Sequence, residues 1–494
     1  MAANVCLLDV LRSKTFRGGC MEWWDIVEMK PKVARLATVT SYTVFLLAII
    51  LINCTPASAI PAFARKYGMP CSSCHEAWPK LSPFGQSFKD NGYQMGNDRD
   101  APIFQQAAYW PISLRITPNW HLETANNQTV DGTGTGSVLA DVKTQGFDYT
   151  GMDMLTAGTL AKNYSFLLVP SSDELGSFHF ESVNLRFSNL FGSSWFNIKV
   201  GKFELDNLQS EKRILTLSSN GGFYQNYHFQ PMVSPGVAET AYVFGIGDNQ
   251  IGVEWMGHSK DDRTRLSAAL LSGTDGNPDF VNGAGNAAGH AYEGFFAASR
   301  AFEVGGLGLQ RVGAFAYLGQ ASTYPRYTVA GAGIPGTGIG NQPYYRVGLI
   351  GMWYVKKLDV TTMYFYGHDS VYLGTNTPSN LGTAGLPLGA HAPSWNGALF
   401  ETHYNFNPQM ILINRYELIR MSQQALSSNP GNTGNVDALT FGFRYYPFIS
   451  SRAGFAFHNE YSIVWQKNVL LAPDTGLPIN LTSSSLMFGF DFAF

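Results

Sequence analysis

The sequence predicts an all-β fold, a transmembrane antiparallel β-barrel of about 16 strands, preceded by a short segment built around one cysteine–histidine motif. Three observations carry that expectation. Only 14% of the 494 residues are charged, while aromatics also reach 14% and glycine numbers 52; an ordinary soluble chain carries about 25% charged residues. Apolar and polar residues alternate along most of the chain after residue 109, the period of a strand whose two faces meet different surroundings. Short polar turns alternate with long connections rich in Gly, Asn, Ser and Thr, as in barrels with tight periplasmic turns and longer outer loops.

The elements follow in order. Residues 1–28 look like neither a signal nor a domain and read as an upstream extension, with translation beginning at Met29. Residues 29–59 read as a signal peptide: basic Lys30, Lys32 and Arg35, an apolar run over 44–52, and the small triplet Ala57-Ser58-Ala59. That run is about half of the roughly 20 residues a spanning helix requires. Asn53 before Cys54 fits a lipidated cysteine poorly. The formal net charge of −3 offers no basic field, so no nucleic-acid partner is expected.

Residues 60–108 carry "GMPCSSCHEAW", in which Cys71 and Cys74 precede His75 directly. A cytosolic redox dithiol is removed by export. A zinc site needs a second ligand pair of similar spacing, yet the exported chain has no other cysteine and its remaining histidines are scattered singly. A plain disulfide is the further alternative. Cys-x-x-Cys-His is the attachment signature of c-type haem. Two thiols add across the two porphyrin vinyl groups, and the adjacent imidazole falls beneath the iron. Cys71 and Cys74 are therefore the expected covalent attachment points of one haem c, and His75 the expected haem-iron ligand.

Opposite His75, Met95 in "NGYQMGN" is the candidate distal ligand, with ordinary packing as its alternative; His121 is a second candidate, and Met69 lies too close to the attachment site. "WPKLSPFGQSFKDNGYQM" predicts one amphipathic helix through Leu81, Phe84 and Phe88 that stops at Gly92. So small a segment wraps a haem thinly and needs cover from elsewhere. The lumen of the barrel would supply it if the segment enters as a plug. Arg65 and Lys66 are candidates to pair with the haem propionates, with a solvated basic pair as the alternative.

Residues 109–494 read as the barrel. "SWFNIKVGKF" sets Phe196, Ile198 and Val200 against Asn197, Lys199 and Gly201, and "RVGLIGMWYVKKLDVTTMYFYGH" reads as two strands turning at Lys356 and Lys357. Further turns are expected at Lys162-Asn163, Lys260-Asp261-Asp262, Gly305-Gly306, Asn407-Pro408 and Ile449-Ser450-Ser451, and long loops over 124–146, 273–292, 319–343, 369–396 and 466–483. Trp110, Trp353 and Tyr446 are candidates for interfacial girdles. "SLMFGFDFAF" puts Leu486, Phe488, Phe490, Phe492 and Phe494 on one face, like the C-terminal signal of outer-membrane proteins. A soluble β-sandwich is the competing fold, and 14 or 18 strands stay open beside about 16.

The segment "IPAFARKYGMPCSSCHEAWPKLSPFGQSFKDNGYQM" joined to such a barrel resembles the fused monohaem cytochrome-porins of bacterial outer membranes, best known from iron-oxidising bacteria. The resemblance covers Phe63-Ala64-Arg65 before the motif and Pro79, Leu81, Phe84-Gly85, Phe88 and Gly92-Tyr93 after it. It implies an Fe(II) oxidase-type oxidoreductase embedded in outer-membrane lipid. Extracellular Fe(II) would give one electron to the haem, which passes it to a periplasmic cytochrome c or copper protein. His368 with Asp369, and Glu401 near His403, are candidate iron contacts, with lumen or loop roles as their alternative. Rival readings use the same parts: a solute porin with a structural or sensory haem, an exporter of electrons to external acceptors, or a haem enzyme with an open sixth position.

Overall fold

The structure, a computed structural model, describes residues 62–77, 80–96, 100–105, 111–130, 138–172, 178–205, 249–272, 292–322, 326–329, 332–335, 341–369, 394–421, 435–448, 454–471 and 478–493. The upstream extension, the signal segment, Trp110, the turn at Ile449-Ser450-Ser451 and Phe494 lie outside the described residues.

The chain begins with small elements: α1 (Ala62–Tyr67), α2 (Cys71–Cys74), β1 (His75–Ala77), β2 (Lys80–Leu81), α3 (Pro83–Asp90) and a 3-10 turn (Ile103–Gln105). The barrel strands follow: β3 (Ile112–Val130), β4 (Val138–Ala161), β5 (Tyr164–Ser172), β6 (Phe178–Phe187), β7 (Asn197–Glu204), β8 (Asn249–His258), β9 (Thr264–Ser272), β10 (Tyr292–Val304) and β11 (Gly308–Ser322). A separate hairpin, β12 (Arg326–Val329) and β13 (Ala332–Pro335), precedes β14 (Asn341–Val355), β15 (Leu358–Asp369), β16 (Ser394–Asn407), β17 (Met410–Met421), β18 (Asn435–Tyr445), β19 (Gly454–Leu471) and β20 (Pro478–Ala493). Excluding that hairpin and the β1–β2 pair, the strands form one closed antiparallel barrel of 16. Closure comes from β20 pairing with β3, where Phe488 faces Trp120 and the two rings stack at 5.9 Å.

The tight turns fall where the polar pairs predict, at Lys162-Asn163 and Lys356-Lys357 among others. Asn163 and Lys356 take positive φ values of 65° and 57°, the conformation a two-residue hairpin demands. The opposite connections differ from expectation. β3 runs to Val130 and β4 starts at Val138, and β19 runs to Leu471 with β20 starting at Pro478. Most of the expected loops over 124–146 and 466–483 is thus strand. Ladder hydrogen bonds need no apolar face, so a polar stretch such as "NNQT" can extend a hairpin past the membrane. The expected loop over 319–343 likewise holds the ends of β11 and β14 and the β12–β13 hairpin.

Alternation divides the wall into two surfaces. On β14, Leu349 is 64% exposed on the outside while its neighbour Ile350 is 4% exposed on the inside. Phe296, Phe400, Phe488 and Phe490 share the outer apolar face, and Trp353 packs there edge-on against Phe302. Tyr446 is not part of a girdle: it is buried with Ile411, Ile413 and Ala456. Its position continues the inward series of β18, so its ring turns to the interior. An even number of strands, an apolar outer band, and short turns at one end make this a bacterial outer-membrane barrel. Among the described residues no helix is long and apolar enough to cross a membrane; the crossing is made by strands.

The interior is layered. Near the short turns it is charged: Arg115 bonds Asp491 at 3.0 Å and Asp153 at 3.1 Å, Lys199 meets Glu254 at 2.6 Å, and His458 meets Glu460 at 3.1 Å. Toward the outer ends apolar and aromatic side chains gather around buried Glu293 and Arg346. Leu271, Phe295, Tyr317, Ile350, Phe365 and Ile419 belong to one buried cluster that spans strands from β7 to β19.

Candidate functional site

The segment around the cysteine motif folds on four rings. Phe63 stacks on Tyr93 with centroids 4.9 Å apart and meets Phe88 edge-on at 5.1 Å, while Tyr67 meets Phe88 edge-on at 5.2 Å. Tyr67 donates to the Tyr93 carbonyl at 3.0 Å and to Asp100 at 2.7 Å, and Asp100 also accepts from the Met95 and Gly96 amides. That one carboxylate therefore holds the Met95 loop against α1.

The expected amphipathic helix appears as α3, shorter than predicted because Leu81 lies in β2. Ser82 caps it, accepting from the Gly85 amide at 3.1 Å with Pro83 at the first turn, and the Ser82 amide donates to the Cys74 carbonyl at 2.8 Å. At Gly85 a Cβ would stand 2.0 Å from that carbonyl, so only glycine lets α3 pack directly on the motif. The helix stops at Gly92, whose φ of +70° suits glycine.

Ion pairs tie the segment to the inner wall. Buried Lys80 reaches Glu76 at 3.0 Å, Asp359 at 2.7 Å and His403 Nδ1 at 3.1 Å. Lys89 meets Glu204 at 2.7 Å, and Asp90 meets Arg265 at 2.8 Å. Most of the wall partners, Asp359, His403 and Arg265, lie at the short-turn ends of their strands.

Segment and wall enclose a cavity of about 290 Å³ lined by Cys71, Cys74, His75 and Met95. The motif is placed on it by α2, with His75 in extended backbone immediately after, its amide donating to the Cys71 carbonyl. The donor set facing the cavity comprises two thiols, an imidazole and the thioethers of Met69 and Met95. Its apolar sides include Phe63, Phe84, Leu155 and Val169. Such a set could hold a haem, with the thiols as attachment points and the imidazole as a ligand. It does not suit a redox dithiol, which works through a lowered thiol pKa. Burial pushes Cys74 up to about 11, with the adjacent Cys71 adding to the shift, and burial raises Cys71 as well.

Other sequence candidates land elsewhere. His121 faces Asp148 at 3.4 Å and does not line the cavity. Met95 lines it and also packs on the aromatic cluster. Arg65 donates to the Ile112 carbonyl and Lys66 to Thr159 at 3.0 Å; neither lines the cavity, because α1 turns them toward the wall. Glu401 and His403 are buried in the charged layer, where Glu401 pairs with Arg415 and His403 takes a hydrogen bond from Lys80. His368 lies beside Ser394 at 3.2 Å, and the side chain of Asp369 is outside the described residues. Among the described residues no group of three His, Cys, Asp or Glu side chains is placed to hold a metal ion.

Most of the cationic groups that do line the cavity come from the wall, Arg115, Arg186, Lys199 and Arg444, with Lys89 added from α3. The signal for the wall residues was the strand period. In "VNLRF" Arg186 stands between Leu185, which faces out, and Phe187, so alternation directs its guanidinium inward.

No family model matches the chain, and no curated protein matches it by sequence. Among solved structures it is similar to OmpT, an outer membrane protein of Vibrio cholerae, at 11% identity and a TM-score of 0.43 over 78% of this chain and 97% of that one. It is similar also to the outer membrane channel DcaP of Acinetobacter baumannii, at 11% identity and 0.43 over 77% and 97%, and to OprB of Pseudomonas putida, at 9% and 0.41 over 77% and 94%. The fold assignment stands on the chain's own closed hydrogen-bond ladder, which is that of a porin-like outer-membrane barrel.

Proposed function

We propose that this barrel is an outer-membrane electron-transfer protein whose single haem c is joined to Cys71 and Cys74, ligated by His75, and seated as part of a plug in the lumen. It takes one electron from extracellular Fe(II), which leaves as Fe(III), and passes it to a periplasmic cytochrome c or copper protein. The observation that carries this reading is that the motif residues and Met95 line one cavity completed by the barrel wall. When bound, the haem supplies a one-electron couple, and a Met95 thioether opposite His75 would raise its potential.

The layered interior favours electrons over solutes. A porin lumen is polar and water-filled, whereas Phe203 of this cavity belongs to a buried apolar cluster on the inner wall. Electrons need no hydrated path. In planar bilayers the protein should conduct far less than an open porin, and sugar uptake into liposomes at porin rates, unchanged after Cys71→Ala/Cys74→Ala, would favour the solute-porin reading instead.

The direct test is to add Fe(II) anaerobically to the purified oxidised protein at the organism's growth pH and follow the haem spectrum. Conversion of ferric to ferrous haem is expected. Haem of competent potential that stays ferric would refute iron oxidation, and rapid reoxidation of the ferrous form by external acceptors alone would point to electron export.

A further inference from the structure

We propose that Arg186 is the anion anchor of the cavity and holds a carboxylate of the bound porphyrin; the assignment rests on the haem reading above. Arg186 projects inward from β6, is 3% exposed, and lines the same cavity as Cys71, Cys74 and His75. Its guanidinium lies over the Tyr93 ring, 5.4 Å from the centroid, so it is seated on the aromatic cluster that shapes the segment. Its Nε has no hydrogen-bond partner, and no carboxylate pairs with it among the described residues.

The other cations of the cavity are engaged differently. Lys89 meets Glu204 at 2.7 Å, Lys199 meets Glu254 at 2.6 Å, and Arg115 and Arg444 both reach Asp491. A guanidinium stays charged at any working pH, and burying one without a counter-ion is costly. Its planar fork of donors matches a carboxylate in two parallel hydrogen bonds. A haem brings two such carboxylates on otherwise apolar edges, and the apolar sides of this cavity suit the ring. There a propionate would pair with Arg186, which would cancel the carboxylate's negative charge near the iron; without the arginine that charge would favour the ferric state.

The test uses the full haem-loaded protein with Arg186→Gln, and Arg186→Lys as the conservative variant. Three quantities are read: covalent haem after denaturing electrophoresis, midpoint potential by redox titration, and the propionate bending bands in resonance Raman spectra. Both variants should retain covalent haem. Arg186→Gln should favour the ferric form about tenfold at fixed ambient potential, a drop of about 59 mV for a one-electron couple, and shift a propionate band. Arg186→Lys should recover most of the potential, since it keeps the charge, but not the band, since it lacks the fork. Haem attached with potential and bands unchanged in both variants would overturn the anchor. A wild-type protein without covalent haem would instead overturn the reading on which it rests.

Discussion

On the proposed haem attachment, replacing both Cys71 and Cys74 with alanine should abolish covalent haem while leaving a folded barrel. The thiols line the cavity, but none of the contacts that hold the segment passes through them: its four-ring cluster, the Asp100 clamp on the Met95 loop and the Lys80 ion pairs are all made by other residues. The barrel closes through its own ladder. Its stability should therefore move by no more than about 1 kcal/mol, as for a substitution that breaks no paired contact. Peroxidase staining after denaturing electrophoresis reads the haem, and the heat-dependent mobility shift of the unboiled protein reads the barrel. The single variants should keep one thioether and a weaker stain. A stain of undiminished strength in the double variant would contradict the attachment, and loss of the mobility shift would show that the motif is structural.

Lys80→Met should release the segment from the wall. The ammonium is 6% exposed and is shared by Glu76, Asp359 and His403. Methionine matches its length but leaves two partly buried carboxylates without a cation, a loss on the order of 1–3 kcal/mol, below that for a fully buried pair. Burial alone would lower the pKa of Lys80, yet the Glu76 and Asp359 carboxylates outweigh it and hold the amine above its ordinary value. The sign follows. A raised amine contributes stability fully below its unfolded pKa of about 10.4, and that contribution is lost only as pH rises through the higher folded value. The amine's share of the tie is thus complete at neutral pH, while acid weakens the tie from the carboxylate side, since burial raises the pKa of Glu76. Limited proteolysis should cut within 62–105 much faster in the variant than in the wild type at pH 7, with the barrel core resistant in both. Equal cleavage rates would mean that Lys80 does not dock the segment.

The barrel was legible because alternation is a local record of a global environment. Each outward Phe or Leu beside an inward Arg, Glu, Asp or Ser states which side meets lipid, as Phe400 and Glu401 or Phe490 and Asp491 illustrate. Turn positions were legible for a similar reason, since Asn163 and Lys356 sit where the chain must take positive φ. Strand ends were not, because the ladder past the membrane has no apolar face to mark it. Tyr446 was misplaced because a tyrosine near a strand end suits either a girdle or the interior, and the register of β18 decides between them.

For the site, Cys71, Cys74 and His75 lie within five residues of chain, so their spacing alone restricts what they can bind. By itself the sequence determined the barrel class and the inward and outward faces, and it holds the Cys-x-x-Cys-His motif on which the proposed haem attachment rests. Only the tertiary structure decided which distant side chains share the cavity. It turned Arg65 and Lys66 toward the wall and brought Arg186, Arg115 and Arg444 in from strands far along the chain. It also put Lys80 within reach of Asp359 and His403. Those pairings depend on how the ring of strands closes, and no local pattern of residues encodes a distance across a lumen.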